Sequence, residues 1–153
     1  MAKRVLLISL CVVALAFGLG IGFCWAMTAS DVVRTRRAVF GQMTNALKFA
    51  ANHWDDSASY DSLAKAGALI ERDAKGLMIL FPAGTGARDG LDTAASDAIW
   101  TDRAGFESLA RQLADEAGKL AATTPSTDSA AVRKEIKTVA ATCRSCHRDY
   151  RSN

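Results

Sequence analysis

The chain changes character near residue 28. Before this point an uncharged, largely apolar run covers residues 5–27, whereas beyond it apolar residues recur every three or four positions. Spacings of three and four place side chains on one face of an α-helix. Four such stretches predict amphipathic helices at about 30–51, 61–80, 102–122 and 128–150. Since no alternation typical of strands is visible, the expected fold class is all-α, with the helices packed as a bundle.

Each predicted helix carries a stripe of residues suited to a shared core. The stripes comprise Val33, Arg36, Phe40, Met43, Leu47 and Ala50 in the first helix, Leu63, Ala66, Ile70, Ala74 and Leu77 in the second, Phe106, Leu109, Leu113 and Leu120 in the third, and Val132, Ile136, Val139, Cys143, Cys146 and Tyr150 in the fourth. Ser30 or Asp31 is expected to cap the first helix, and Thr101 or Asp102 the third.

Arg36 is the one charged member of these stripes. A permanent charge within an apolar stripe is costly unless an anionic partner accompanies it. A bound anionic group is one such partner. Alternatively, the arginine extends along the surface to reach water near the start of its helix.

The second and third helices are separated by a connection of about twenty residues, Phe81 to Trp100, rich in turn-forming glycines. Connections of this length in small domains are often functional. Because Phe81, Leu91, Ile99 and Trp100 are apolar, we expect the loop to pack against a site at one end of the bundle.

The N-terminal stretch is typical of a targeting segment. Lys3 and Arg4 precede the apolar run, and small residues follow it, so we interpret residues 1–29 as a secretory signal peptide cleaved after Ala26 or Ala29. The run is also long enough to be an uncleaved membrane anchor. In either case the basic residues retain the N-terminus in the cytoplasm, and the domain of residues 30–153 is exported.

Composition narrows the function classes. Hydrophobic residues make up 50% of the chain but aromatic residues only 7%. The formal net charge is +3, and Lys3 and Arg4 account for two of these charges. The exported domain is therefore nearly neutral, which gives no indication of nucleic-acid binding.

The strongest chemical signal is the pentapeptide Cys143-Arg144-Ser145-Cys146-His147. On a helix, positions i, i+3 and i+4 share one face, so two thiols and an imidazole project together. This is the attachment pattern of a c-type haem. A structural zinc site normally has four ligands, and the other histidine, His53, is isolated in the sequence. A redox-active dithiol typically has a βαβ context, so both alternatives are weaker.

Several further features combine with this pentapeptide. The first helix carries Arg36-x-x-x-Phe40-x-x-Met43, the loop reads from Phe81 to Gly86 as FPAGTG, and Thr93 precedes Ile99-Trp100. In this combination, residues 30–153 resemble the cytochromes c', within the class II cytochromes c. The resemblance implies an antiparallel up-down-up-down four-helix bundle with one covalently bound haem c.

The resemblance also implies roles for individual positions. It assigns Cys143 and Cys146 as thioether anchors, His147 as the proximal iron ligand and Phe40 as the distal residue. It places Arg36 beside the haem propionates and Arg151 beside the proximal histidine. It further implies that Thr93 lies at the haem edge and that Met43 and Met78 line the pocket. Arg37 is a further candidate for haem contact, where some relatives have a glutamine.

The sixth iron position separates two functions. Electron carriers of this class place a methionine four residues after the first-helix arginine, but here that residue is Phe40. The resemblance therefore implies five-coordinate iron that binds nitric oxide or carbon monoxide, exchanges electrons, or does both. The alternative is a six-coordinate electron carrier that uses Met43 as a ligand. A peroxidase, the enzymatic hypothesis, requires a distal acid–base group, which the Phe40 stripe lacks.

Export, haem attachment and the family resemblance together predict a periplasmic protein that is not an enzyme. The family commonly forms homodimers through its first two helices, and the outward residues Val32, Val39 and Ala46 suit such an interface. The redox partner is not indicated by the sequence.

Overall fold

The computed structural model describes residues 27–152, and in this part of the chain four long helices form an antiparallel up-down-up-down bundle. The helices are α1 (Ala29–His53), α2 (Tyr60–Lys75), α3 (Ala98–Thr101), α4 (Arg103–Ala121) and α5 (Ser129–Tyr150), of which α3 is a single turn. Helix α1 packs against α2 and α5, and α4 packs against the same two helices. The predicted all-α bundle is thus confirmed.

Residues 1–26, which hold most of the expected targeting segment, lie outside the described residues. Among residues 27–152, no helix has both the length and the apolar character needed to span a bilayer.

The helix starts follow from local hydrogen bonding. Thr28, and not Ser30 or Asp31 as expected, caps α1: its Oγ1 accepts from the backbone N–H of Asp31 at 3.1 Å, and the Asp31 carboxylate accepts from the Thr28 N–H at 3.0 Å. This reciprocal pair is a capping box. Asp102 caps α4 as predicted, since its Oδ1 accepts from the Gly105 N–H at 3.2 Å.

The second helix ends earlier than expected. The apolar pattern predicted a helix as far as Leu80, but α2 ends at Lys75, and Leu77–Leu80 forms a 3₁₀ turn. The N–H of Gly76 is shared between the carbonyls of Arg72 and Asp73, each at 3.2 Å. The change from α-helix to a 3₁₀ turn at Gly76 alters the direction of the chain. Leu77 nevertheless remains buried in the core.

The core has three layers along the bundle axis. The end layer is formed by Ala50, Tyr60, Leu63, Leu120, Val132 and Ile136, the middle layer by Met43, Ile70, Ala74, Leu113, Ala114, Ala117 and Val139, and the site layer by Phe81, Ile99, Phe106 and Tyr150. The site layer contains four ring or branched side chains from α4, α5 and the long connection.

The long connection packs onto the bundle as expected. Phe81 and Ile99 are buried, and the indole N–H of Trp100 donates to the Pro82 carbonyl at 3.1 Å. The Ser96 N–H donates to the Tyr150 carbonyl at 3.0 Å, which ties the connection to the end of α5. The long connection therefore lies beside the C-terminal end of α5, where the haem motif is located.

Candidate haem site

The last turns of α5 bring the two thiols and the imidazole together, as the spacing predicted. Cys143 packs against the middle layer and Cys146 against the site layer, and both are half-buried. His147 is exposed at the rim of a cavity. Both cysteines have free thiols, so each is available for a covalent bond.

A cavity of about 430 Å³ lies beside this turn. Its lining consists of Arg36, Arg37, Phe40, Gly41, Thr44, Phe81, Asp92, Thr93, Ala94, Ala95, Ile99, Phe106, Cys146, His147, Tyr150 and Arg151. The inner wall is apolar and largely aromatic, whereas the rim carries arginines. A cavity of this size and polarity is typical of a site for an apolar group with charged substituents.

Phe40 and His147 face each other across the cavity. Their ring centroids are 6.5 Å apart, and the ring planes meet at 65°. Phe40 also contacts Phe81 edge-on, with centroids 6.2 Å apart. The sequence-predicted distal and proximal residues are therefore brought to opposite sides of one space.

Arg36 is 3% exposed, so it does not extend along the surface to water. Its Nη2 donates to Thr93 Oγ1 at 2.7 Å and to the Thr85 carbonyl at 3.1 Å. Its guanidinium carbon also lies 4.4 Å from the centroid of the Phe81 ring. All of these partners are neutral. Burial of the guanidinium lowers the pKa of Arg36, and repulsion by the charge of Arg37 lowers it slightly further.

The remaining rim residues also lie near the cavity. Arg37 pairs with Asp92, Nη2 to Oδ2 at 2.9 Å, and so connects α1 to the long connection. Arg151 follows α5, and its N–H donates to the His147 carbonyl at 3.2 Å. Thr93 and Arg151 both line the cavity, as their predicted roles require.

The two candidate methionines are placed differently. Met43 belongs to the middle layer and Met78 packs against the site layer from the 3₁₀ turn, and neither is among the residues that line the cavity. The expectation that both methionines line the pocket is therefore not met. The physical reason is position along the axis, because Met43 lies one turn beyond Phe40, toward the bundle interior.

The environment of the last turns of α5 favours the neutral forms of the two thiols and the imidazole. Burial raises the pKa of Cys143, and burial together with Cys143 and Asp149 raises that of Cys146 to about 11. Desolvation of the ring lowers the pKa of His147, and the charge of Arg151 lowers it further. A neutral imidazole is the form that binds a metal, so this environment favours ligation by His147.

Sequence reasoning missed a hydrogen bond beneath the site. Tyr150 Oη donates to Asp102 Oδ2 at 2.6 Å, and Asp102 also caps α4. A Cβ on Gly105 would collide with both side chains. Thr85, which accepts from Arg36 through both its carbonyl and its hydroxyl oxygen, was also missed. Its place in the glycine-rich loop was the available signal.

These residues fit a covalently bound haem. The half-buried thiol of Cys146 and the imidazole of His147 line an apolar cavity, and the half-buried thiol of Cys143 lies one turn earlier on α5. A buried guanidinium beside the cavity has only neutral partners. Within residues 27–152, no three His, Cys, Asp or Glu side chains are placed to hold a metal ion by themselves. The fold and the site together define a helical c-type haem protein.

Comparison with known proteins specifies the family. The family model described as cytochrome c' matches residues 31–151. The cytochrome c' of Rhodopseudomonas palustris is 39% identical over 136 residues, which cover 88% of this chain and 89% of the relative. Cytochrome c-556 of Agrobacterium fabrum is 30% identical over 128 residues, covering 82% and 84%. The chain therefore belongs to the cytochrome c' family, as its sequence motifs indicated.

Solved structures agree with this assignment. The structure of cytochrome c' from Rhodopseudomonas palustris has a TM-score of 0.67 and 36% identity to this chain, and the match covers 80% of this chain and 97% of the other. Proteins of this family carry covalently bound haem c and are exported to the periplasm. Cys143 and Cys146 are the cysteines of residues 27–152 that can attach it.

Proposed function

We propose that this protein is a periplasmic haem protein with five-coordinate iron, which binds nitric oxide and carbon monoxide and exchanges single electrons. When bound, haem c supplies an iron atom that accepts a diatomic ligand and changes its oxidation state by one electron. In this proposal Cys143 and Cys146 anchor the haem, His147 is the one protein ligand, and Phe40 covers the opposite face. Residues 1–29 direct export, and residues 30–153 are the functional domain.

The observation that carries the proposal is the placement of Phe40 opposite His147. A phenyl ring has no lone pair to donate, so it occupies the distal side without ligating iron. The polar groups nearby are already engaged. Thr44 Oγ1 donates to the Phe40 carbonyl at 2.8 Å, and Arg37 is bound to Asp92. Such a distal side offers no free donor to stabilise bound oxygen, whereas nitric oxide and carbon monoxide require none.

The same absence of free distal groups argues against enzymatic O–O bond cleavage. That reaction requires an acid–base group on the distal side. The carboxylate that lines the described cavity, Asp92, is held in an ion pair by Arg37, and the side chains closest to Phe40 along α1 and the long connection are hydrocarbon, hydroxyl or arginine. We therefore propose ligand binding and electron exchange without a catalytic reaction.

A fold neighbour is compatible with nitric oxide binding. The nitric oxide complex of a mutant cytochrome c' from Alcaligenes xylosoxidans has a TM-score of 0.69 at 21% identity. That likeness concerns the fold, so the proposed gas binding rests on the placement of Phe40.

The competing function is electron transfer by six-coordinate iron with Met43 as a ligand. Met43 is 6% exposed and packs among Ile70, Leu113 and Val139. Moving its thioether to the cavity would leave a hole in the middle layer, which is costly.

Absorption spectra of the purified haem protein distinguish the two functions. We expect largely high-spin ferric iron, and a ferrous form that binds carbon monoxide without displacing a protein ligand. Phe40→Ala should speed the binding of small ligands because it opens the distal side. Phe40→Met should shift the spectrum toward low-spin iron, whereas the control Met43→Leu should leave it unchanged. A low-spin wild type that becomes high-spin on Met43→Leu would establish the electron carrier instead.

Covalent attachment has a separate test. Haem should remain with the polypeptide through acid–acetone extraction because two thioethers hold it, and Cys143→Ala combined with Cys146→Ala should release it. If all haem leaves the unmutated protein, the proposed anchoring is wrong.

A further inference from the structure

A second, shallower depression adjoins the cavity at the end of α5. It has a volume of about 490 Å³ and is lined by Ala94, Arg144, His147, Arg148, Arg151 and Ser152. Half of these residues are arginines, and none is acidic. The depression therefore presents a concave, positively charged surface, which we call the basic depression.

Two of its charges have no counter-ion in the described chain. Arg148 pairs with Asp149, Nε to Oδ1 at 3.1 Å, and also donates to Ser145 Oγ at 2.9 Å. Arg144 and Arg151 form no ion pair within residues 27–152. The basic depression thus retains uncompensated positive charge at its surface.

This local charge contrasts with the rest of the domain. The formal net charge of +3 includes Lys3 and Arg4, and without them only +1 remains. Because the rest of the domain is nearly neutral, an anionic partner is attracted mainly to the basic depression and approaches the domain from that side. The arginines extend from residue 144 to 151, about 10 Å along the helix axis. This spread suits several carboxylates of a protein surface better than one small anion.

His147 lies in both the basic depression and the haem cavity, and so connects the two. Its imidazole is exposed there and also lies at the rim of the haem cavity. A partner seated on the arginines would therefore contact the proposed iron ligand directly, without an intervening layer of protein.

We propose that the basic depression is the docking surface for the acidic face of a one-electron redox protein. With haem bound, one electron would pass from the reduced centre of the docked partner to the ferric iron, so the partner would be oxidised and the iron reduced by one electron. No bond is formed and no proton is transferred. This inference rests on the proposed haem attachment and ligation by His147.

The test uses the haem-loaded protein with flavodoxin, a small acidic flavoprotein that donates single electrons, as the probe. Reduction is followed by stopped flow at several ionic strengths, and binding of oxidised flavodoxin is measured by calorimetry. Arg144→Glu combined with Arg148→Glu reverses two charges in the basic depression. The matched control reverses two exposed charges on an earlier part of α5, Lys134→Glu combined with Lys137→Glu.

We expect the double variant to lower the bimolecular rate at low ionic strength by about tenfold or more, with a parallel loss of binding. The control should change the rate by less than about twofold. The difference should vanish near 0.5 M salt, because screening shortens the range of the charges to a few ångströms. Arg144→Gln with Arg148→Gln should give an intermediate rate, and the haem spectrum should be the same in all variants.

Three results would overturn the proposal. Equal losses in the control with Lys134→Glu and Lys137→Glu would indicate attraction by overall charge. Competition by millimolar phosphate at constant ionic strength would indicate a site for a small anion. A wild-type protein that retains haem and binds carbon monoxide, yet neither binds nor accepts electrons from flavodoxin, would remove the docking surface and leave the proposed function standing.

Discussion

At the scale of single residues, Arg36 has the most unusual environment. It is almost fully buried, and Thr85, Thr93 and the Leu80 carbonyl are its hydrogen-bond acceptors. Burial of a charge is expensive unless an opposite charge accompanies it. The neutral partners orient the guanidinium toward the cavity, where a haem propionate would supply the missing negative charge.

Arg36→Gln should therefore destabilise the haem-loaded protein strongly. Loss of one member of a buried charge pair costs about 3–5 kcal/mol. The removed positive charge should also lower the reduction potential, because ferric haem carries more positive charge than ferrous haem. Denaturant unfolding and redox titration measure the two effects.

The matched control is Arg37→Gln on the same helix. Arg37 is exposed and forms a surface pair with Asp92, and such pairs contribute about 0–1 kcal/mol. If both variants unfolded at the same denaturant concentration, Arg36 would have no anionic partner in the haem protein.

At the scale of elements, the contact between α2 and α4 depends on Gly67. A Cβ at this position would lie 2.8 Å from the Leu120 carbonyl carbon and 2.9 Å from the Ala117 carbonyl oxygen. These are backbone atoms of α4, which cannot rotate out of the way. The close approach of the two helices therefore requires a residue without a side chain.

Gly67→Ala should lower the free energy of unfolding by about 1–3 kcal/mol through overpacking. Gly118→Ala on α4 is the control, because its Cβ would make an ordinary contact of 3.5 Å with Glu71. That change should be neutral or stabilising by up to about 1 kcal/mol, since alanine favours helix. Denaturant titration compares both, and a neutral Gly67→Ala would show that α2 and α4 can separate without cost.

The hydrogen bond from Tyr150 to Asp102 joins the haem-bearing α5 to the start of α4. The Asp102 carboxylate, followed by burial, raises the pKa of Tyr150 to about 12 from its ordinary value of 10.0. Because the folded state favours the protonated phenol, the stabilisation is complete below pH 10 and is lost as the pH rises toward 12.

Tyr150→Phe should lower the melting temperature at neutral pH and reduce its fall between pH 10 and 12. Melting curves followed by circular dichroism at each pH provide the measurement. Tyr60→Phe, in the end layer of the core, is the control because it removes the same phenol oxygen far from Asp102. Parallel profiles for wild type and Tyr150→Phe would exclude a stabilising role for this hydrogen bond.

At the scale of the whole molecule, α1 and α2 leave a shared groove on the outer surface. It has a volume of about 460 Å³, and Ala46, Phe49 and Leu69 contribute apolar surface to it. Val32 and Val39, the other outward residues on α1, are only half-buried. This apolar surface is compatible with the homodimer through the first two helices that the family resemblance predicts.

Ala46→Glu should convert that dimer to a monomer, because the interface would have to bury an unpaired carboxylate. Sedimentation velocity at high micromolar concentration distinguishes the two states. Ala131→Glu places the same charge on an exposed position of α5 and should leave the dimer intact. A wild-type protein that sediments as a monomer would remove the dimer altogether.

Local sequence patterns were sufficient to predict the helices and the haem attachment motif of this protein. The periodicity of apolar residues predicted all four long helices, because each helix must turn one face to the core. The haem motif was equally local, since residues 143, 146 and 147 meet within one turn of α5 whatever surrounds them. Helix ends were less certain, because Thr28 and Gly76 act through hydrogen bonds that the apolar pattern does not show.

Tertiary structure decided which side chains reach the cavity. Phe40 and Met43 share one stripe, but three residues correspond to about 4.5 Å along the axis, so one faces His147 and the other lies in the middle layer. Arg36 meets Thr85 and Thr93 across 49 and 57 residues of sequence. Such contacts depend on the depth and rotation at which separate helices and loops pack, and a periodic pattern contains no information on either.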